Sequence, residues 1–337
     1  MDFVEPDGGG IRLLTLDGGD AHGISQLIIL RALMARLEHD LGRVVRPCEY
    51  FDHITGVGSS GVIAILLGVL QMAADEALRN FCLICFNVFP PEDLTDEERS
   101  QRLINIFEEI LDQVNIDRDE RLRRERGPRC RVSLCYSSGD LRVCHMFRNY
   151  ELRGADTDLS IIEAVASVWA TPGLFSPVKM GPVYMQQTIT SAVYGYNNPT
   201  TEAIKEAHAV FGNGARVSLL LSLGSGRRPP AAGFSERTVR TLVTDIEAES
   251  NQRRFGKLPV YFRFSYEGNV EGNNSSDILS QARNYLQSIV IQERLDAVLK
   301  IASLQGDSST TRLYLVAPNE TDPDYVANKG KYKIVFQ

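Results

Sequence analysis

The stretch FDHITGVGSSGVIA (residues 51–64) decides how this chain folds. Hydrophobic residues lead into a glycine-rich turn at residues 56–58, and a second hydrophobic run begins at Val62. This spacing predicts a strand, a tight turn and a helix. A nucleophile elbow has the same layout, with the serine of a G-x-S-x-G pattern on a strained strand-to-helix turn. Here the turn carries Gly58, and Ser59 and Ser60 follow it, so the pattern predicts an elbow whose nucleophile is lost or displaced.

Strands and helices are predicted to alternate along the rest of the chain. IRLLTLD (11–17) and RVSLLLSLGSG (216–226) are typical of buried strands, and residues 24–37 repeat hydrophobic positions at helical spacing. We also expect helical segments at 92–126 and 160–175, and strands at 183–195. Alternation of this kind predicts an α/β fold with a largely parallel central sheet flanked by helices. One domain over residues 1–337 is the simplest interpretation, with an irregular excursion near residues 230–275.

The composition is typical of a globular protein and excludes several classes. The 337 residues are 43% hydrophobic and 23% charged, with a formal net charge of −7. This acidic balance argues against a nucleic-acid partner. The polar start MDFVEPDGGG and the lack of an apolar run of about 20 residues predict a cytoplasmic protein without a transmembrane segment. Peripheral contact with a membrane stays open. The six cysteines have no metal-ligand spacing, so we expect neither a metal nor another cofactor.

Six segments carry a family resemblance, and they occur in the family's order. They are LTLDGG (14–19), FDHITGV (51–57), FRNYE (147–151), ATPGLFSPV (170–178), YNNPTTEA (196–203) and LLSLGSG (220–226). On these segments the chain resembles the patatin-like phospholipase family over nearly its full length. The resemblance implies a three-layer α/β fold. It also implies lipid acyl hydrolysis by a serine–aspartate dyad without a histidine, supported by oxyanion-hole amides in the glycine turn after the first strand.

The positions of the dyad carry other residues in this chain. The elbow serine of the family falls on Gly58, and the second elbow glycine falls on Ser60. Counting back from the Asn-Asn-Pro segment that ends at Pro199, the dyad aspartate falls on Ser191. No aspartate occurs between residues 159 and 244, so a small shift of the alignment does not restore it.

The glycine turn at residues 17–23 departs from the family in a similar way. Gly18 and Gly19 are kept as the oxyanion-type loop, but Asp20 stands where a glycine is expected and His22 where the arginine is expected. A carboxylate at an oxyanion hole opposes the negative charge that the hole must stabilise. Without a nucleophile, no acyl-enzyme can form at Gly58. The ancestral hydrolysis is therefore expected to be lost.

Three hypotheses about function follow. The first, which is favoured narrowly over the second because acid–base groups are gained as well as a nucleophile lost, is a repurposed enzyme. In it Asp20 and His22 act as an acid–base pair, with Tyr184, Tyr194 and Tyr196 as further donors. It would isomerise, eliminate or cyclise a hydrophobic small molecule or lipid-like substrate in the former acyl pocket. The second is a pseudoenzyme that binds a lipid or a protein partner. The third is a lipid acyl hydrolase that uses Ser59 or Ser60 as a displaced nucleophile.

A structural alternative for Asp20 and His22 stands beside the first hypothesis. Asp20 could cap the helix that begins near residue 21, because a carboxylate is favourable at a helix N-terminus. His22 would then be a surface residue at the end of that helix. These roles need no chemistry.

Overall fold

The first predicted strand and the elbow lie side by side in the structure. In a computed structural model, described for residues 10–123, 128–139, 143–152, 158–212, 214–226, 236–266 and 273–303, the strands β1 (Ile11–Leu16) and β2 (His53–Val57) pair in parallel. Residues 1–9 and 304–337 of the predicted single domain lie outside the described residues, so its boundaries remain a prediction. Both strands end at the same edge of the sheet, and this edge carries both glycine turns.

The remaining elements alternate as the sequence indicates. The other strands are β3 (Arg131–Ser138), β4 (His145–Arg148), β5 (Val178–Met180), β6 (Gln187–Ser191), β7 (Val217–Leu223) and β8 (Tyr261–Phe264). The helices are α1 (Gly23–Leu41), α2 (Pro47–Tyr50), α3 (Ser59–Ala64), α4 (Ala74–Val88), α5 (Asp96–Gln113), α6 (Ile161–Val168), α7 (Val193–Tyr196), α8 (Thr200–Phe211), α9 (Glu236–Phe255), α10 (Ser275–Leu286) and α11 (Ile289–Ser303).

The sheet has the strand order β5-β6-β3-β2-β1-β7-β8, with β4 also paired to β3. The five strands β3, β2, β1, β7 and β8 run parallel to one another in this order. The strands β4 and β6 pair antiparallel to β3. The α/β prediction with a largely parallel sheet is confirmed. Parallel strands need crossover connections, and these connections cover the sheet with helices.

Alternate residues of β1 enter different cores. Leu14 and Leu16 join the large core beneath α1, α3 and α4, whereas Ile11 and Leu13 join a smaller core with α8 and the end of α9. Successive side chains of a strand point to opposite faces. Because β1 is buried on both faces, its sequence is a continuous hydrophobic run rather than an alternating one.

The predicted helices are present but shorter. Of the helix predicted at 92–126, residues 124–126 lie outside the described residues, and within 92–123 it is α5 alone, which begins at a capping box of Thr95 and Glu98. The segment predicted at 160–175 is helical only as far as Val168, because residues before a proline such as Pro172 avoid the helical region. After the elbow, α3 passes into a π-helical turn (Ile65–Val69), and α4 begins a separate helix at Ala74.

The segment 183–195 was predicted as strands and is only partly so. Val183–Met185 form a short 3-10 turn, residues Gln187–Ser191 form β6, and Val193–Tyr196 form α7. The irregular excursion expected near 230–275 contains the 20-residue helix α9 and the strand β8. Within the described ranges, no helix combines the length and apolar character needed to cross a membrane.

Candidate active site

The backbone makes a sharp strand-to-helix turn at Gly58. This residue links β2 to α3 with φ 59° and ψ −134°, a conformation that glycine adopts far more readily than residues with a side chain. The preceding Gly56 is required by close packing, because a Cβ there would lie 2.3 Å from the carbonyl oxygen of Ser60. The sharp strand-to-helix turn is therefore present, but its tip has no nucleophilic group.

Ser191, which the sequence predicts at the position of the dyad acid, lies beside Gly58. A Cβ placed on Gly58 would lie 3.5 Å from the Ser191 hydroxyl oxygen. Ser191 is fully buried, and its hydroxyl has no hydrogen-bond partner among the described residues. The two predicted dyad positions therefore face each other, with no nucleophile at Gly58 and no carboxylate at Ser191.

Val193 fills the space that a nucleophile would need. One of its methyl groups lies 2.7 Å from the Cβ position of Gly58, closer than real Cβ atoms approach other atoms. Val193 is 1% exposed and packs with Val57, Cys135, Met146 and Ala192 in a small hydrophobic cluster. Because valine is stiff at χ1, it cannot easily rotate away. A side chain at position 58 therefore requires Val193 to shift.

The amides of the glycine loop already have acceptors inside the protein. The Gly18 N–H donates to the carbonyl oxygen of Asn197 at 2.9 Å, and the Gly19 N–H donates to Ser59 Oγ at 3.4 Å. The carbonyl of Gly18 accepts from Asn197 Nδ2 and from Ser225 Oγ. These contacts hold the loop against α7 and the end of β7, and they use the donors that an oxyanion hole would direct at a substrate.

Asp20 is buried and paired. Its carboxylate accepts hydrogen bonds from Arg240 at 2.9 Å and from the Trp169 indole nitrogen at 3.4 Å, and the residue is 4% exposed. Its φ of 52° lies in the left-handed region, which is costly for a residue with a Cβ. Asp20 lies in the first turn of a 3-10 helix (Asp20–His22) whose N-cap is Gly19, and His22 is the N-cap of α1, so a capping role for the Asp20 side chain stays a prediction. A buried carboxylate is tolerated only with a partner of this kind.

His22 is also buried, so its interpretation as a surface residue is wrong. It is 1% exposed, and its Nδ1 lies 2.7 Å from the hydroxyl of Tyr266, with the two rings stacked. Tyr266, the partner of His22, follows β8, whereas Asp20 bonds to Arg240 of α9 and to Trp169 at the end of α6. The predicted acid–base pair therefore has both members in the interior, with each one bonded to another residue.

Ser59 and Ser60 begin α3 beyond the tip of the elbow. Ser59 Oγ accepts from the Gly19 amide, and Ser60 Oγ lies 2.6 Å from the carbonyl oxygen of Asp17 and 2.8 Å from Gln26 Oε1. Both residues are buried. Their hydroxyls brace the glycine loop against α3, so neither takes the position of an elbow nucleophile.

The three tyrosines suggested as donors lie in different environments. Tyr194 is partly buried, and its hydroxyl donates to the carbonyl oxygen of Pro172 at 3.2 Å. Tyr196 packs with it against the cluster around Val193. Tyr184 is 84% exposed on the turn between β5 and β6, so its predicted place as a cleft donor is wrong.

Helix α9 covers the glycine loop and the start of α8. Arg240 bonds to Asp20, Thr244 accepts from Asn197 Nδ2 at 2.6 Å, and Thr201 contacts Glu247 and Asn251. All these α9 residues lie on one side of the helix, at spacings of three, four or seven. The helix is therefore fastened by polar contacts over the edge of the sheet where the two glycine turns meet.

A second ion pair joins the end of β1 to β8. Asp17 is fully buried, and its carboxylate binds Arg263 of β8 at 2.6 and 3.3 Å. Burial alone would lower the pKa of Arg263, but the Asp17 carboxylate raises it above its ordinary value. Arg263 also lines a cleft of about 310 Å³ with Asp245, Glu249 and Arg294.

The mostly parallel sheet, flanked by helices, and the sharp strand-to-helix turn at Gly58 define the class of the protein as an α/β fold of the patatin type. The family model for patatin-like phospholipase matches residues 14–204. The chain therefore belongs to the patatin-like phospholipase family.

Similarity to individual proteins agrees with this assignment. The chain is 26% identical over 291 residues to calcium-independent phospholipase A2-gamma of Mus musculus, an alignment that covers 78% of the chain and 36% of that protein. It is 25% identical over 294 residues to the Homo sapiens protein of the same name, covering 78% and 36%. It is 24% identical over 280 residues to phospholipase A I of Arabidopsis thaliana, covering 65% and 21%. The chain thus spans about a third or less of the length of these relatives.

The residues that sequence reasoning missed are the partners. Arg240, Tyr266 and Trp169 are 149 to 244 residues away from the loop residues they bind. One signal was available, because an acid at a position expected to be buried requires a cation nearby. That requirement does not say which of the many arginines supplies it.

Proposed function

We propose that this chain is a pseudohydrolase: a patatin-like protein that binds a lipid-like partner and does not cleave esters. The observation that carries this proposal is the Val193 methyl group 2.7 Å from the Cβ position of Gly58. A lost nucleophile alone could reflect one substitution, but here a neighbouring side chain also fills the space. In a serine hydrolase, loss of the nucleophile lowers kcat by a factor on the order of 10⁶.

The state of the oxyanion loop supports the same proposal. Two of its amides donate to Asn197 and Ser59, and Asp20 is held by Arg240. A working oxyanion hole directs free donors at the developing negative charge. Here the loop bonds to its own protein, so the polar groups at the centre contribute to folding.

A lipid-like partner is favoured by the family. The relatives that align with the chain are named as phospholipases, and the chain shares the patatin-like family with them. A protein partner is the alternative, and it is equally compatible with a centre that does not cleave esters. A cytoplasmic location remains a prediction.

The test is incubation of the purified chain with lysophosphatidylcholine, followed by gel filtration and mass spectrometry. We expect intact lipid to elute with the protein and no fatty acid to be released above the buffer background. Release of fatty acid by the wild type that is abolished in S59A or S60A would contradict the proposal and establish a displaced nucleophile. Absence of both binding and release would contradict the lipid-like partner.

Acid–base chemistry by Asp20 and His22 is the second candidate. One observation favours it: the buried contact of 2.7 Å between His22 Nδ1 and the Tyr266 hydroxyl is a geometry suited to proton transfer. It ranks second because Asp20 is already engaged by Arg240 and Trp169. If this chemistry occurs, recovered lipid will contain an isomer or a product of elimination, and H22A will abolish its formation.

A further inference from the structure

The turn between β5 and β6 exposes three consecutive hydrophobic side chains. Val183, Tyr184 and Met185 are 89%, 84% and 69% exposed. Single exposed hydrophobic residues are common on protein surfaces, but adjacent ones at this level of exposure form a patch that calls for an explanation. We call residues 183–185 the apolar tip.

The shape of the apolar tip is set by its own backbone. Met180 pairs with Gln187 across the two strands, and the Met185 N–H donates to the carbonyl oxygen of Pro182 at 2.8 Å. Gly181 has φ 97°, a value that favours glycine and allows the chain to turn. The three side chains are therefore displayed outwards by a hydrogen-bonded turn.

The apolar tip lies at the same edge of the sheet as the elbow, beyond the C-terminal end of β2. Val57, the last residue of β2, pairs with Cys135, and Ser191 pairs with the next residue, Tyr136. From Ser191 the strand β6 runs back to Gln187 alongside β3, past the end of β2. Four residues of a strand span about 13 Å, so the tip projects roughly that far beyond the Ser191 position.

The sequence segment that carries the tip has little charge. From residue 164 to residue 201 the only charged residue is Lys179, in a chain that is 23% charged and has a net charge of −7. Lys179 is exposed on β5, four residues before Val183. A segment with a hydrophobic tip, one cation and no carboxylate of its own fits a bilayer surface, where acidic residues would be repelled by anionic headgroups.

We propose that the apolar tip inserts into the interfacial region of a lipid bilayer. Val183 and Met185 enter the boundary of the acyl chains, Tyr184 lies at the level of the headgroups as tyrosine does in membrane proteins, and Lys179 contacts anionic lipid. The edge of the sheet that carries Gly58 then faces the membrane. This contact does not depend on whether the centre hydrolyses esters.

The experiment is cosedimentation of the purified full chain with vesicles of phosphatidylcholine containing one fifth phosphatidylserine. The triple variant V183S/Y184S/M185S is expected to lower the partition coefficient at least tenfold, because three apolar side chains no longer leave water. Its matched control is F86S/I289S/V290S, which replaces side chains that are 73%, 74% and 61% exposed elsewhere. The control is expected to bind within twofold of the wild type.

Two further measurements identify the source of binding. K179Q is expected to weaken binding about fivefold on vesicles with phosphatidylserine and to leave binding to pure phosphatidylcholine unchanged. In Y184W, tryptophan emission is expected to shift to the blue when vesicles are added, whereas the native Trp169 is fully buried and does not respond.

Several outcomes would overturn the proposal. These are a wild type that does not bind vesicles, a tip variant that binds like the wild type, and a control that loses binding to the same extent. Sedimentation velocity tests a fourth outcome. If the wild type is a dimer that does not bind vesicles, and the tip variant is a monomer, the tip is a contact between protein copies.

Discussion

At the elbow, Gly58 has φ 59° and no side chain, whereas in the turn after β1 Asp20 has φ 52° and a buried carboxylate. Both backbones occupy a region that favours glycine. The elbow has no side chain at its tip. The neighbouring turn has a side chain at a position where glycine would be easier, and that side chain bonds to Arg240 and Trp169. The difference teaches that a residue with a Cβ is held in this backbone region where its side chain makes buried bonds.

The largest effect is expected for the ion pair between Asp20 and Arg240. R240M leaves the carboxylate buried without its cation, and we expect the free energy of unfolding to fall by about 4 kcal/mol. Denaturant titration measures it. The matched control R253M, on the same helix at a side chain that is 72% exposed, should change stability by less than about 0.5 kcal/mol.

A double-mutant cycle sharpens this test. In a D20G background, R240M should lose most of its effect, because no buried charge remains to be left unpaired. If R240M costs the same in both backgrounds, Arg240 stabilises the fold through packing alone, and the proposed difference between the two turns is wrong.

The next test restores a side chain at the elbow. G58S should lower the free energy of unfolding by about 3 kcal/mol, through backbone strain and the overlap with Val193. In a V193A background the same substitution should cost about 1.5 kcal/mol less, because only the strain remains. Equal costs in the two backgrounds would show that Val193 does not fill the nucleophile position.

The sequence predicted the backbone conformation of this site better than the partners of its side chains. The run at residues 11–17 and the elbow segment each carry a local signal, because burial on both faces and glycine turns leave marks within a few residues. The bond from Arg240 to Asp20 spans 220 positions and leaves no such mark. The alternation in residues 183–195 was misleading, because Val183–Met185 form a local hydrogen-bonded turn and α7 packs against the distant helix α9.

A pH effect is expected from the strand that leads to the elbow. Burial lowers the pKa of His53 to about 4, from an ordinary value of 6.5. The unfolded chain therefore binds a proton between these values and the folded chain does not, so stability is lost as the pH falls from 6.5 towards 4. Between pH 7 and pH 5, the wild type should lose about 2 kcal/mol more than H53Q. H39Q, at an exposed histidine, should behave like the wild type.

The smallest effect is expected at the former acid position. The Ser191 hydroxyl is buried and has no partner among the described residues, so S191A should change the free energy of unfolding by less than about 1 kcal/mol, towards greater stability. S133A is the matched control. It removes a buried hydroxyl that lies 2.9 Å from both His53 and Thr55, and it should destabilise by about 1 to 2 kcal/mol. A larger loss in S191A than in S133A would mean that position 191 still carries an essential bond.

The most direct measurement of the lost chemistry is covalent labelling with a fluorophosphonate, which reacts with activated serine nucleophiles. The purified wild-type chain is incubated with the probe, and intact mass and peptide mapping are recorded, with G58S/S191D/V193A as the variant that rebuilds the dyad. With Gly58 at the tip of the elbow and Val193 in the nucleophile space, no adduct is expected on the wild type. A stoichiometric adduct on Ser59 or Ser60 of the wild type would contradict the loss of the nucleophile.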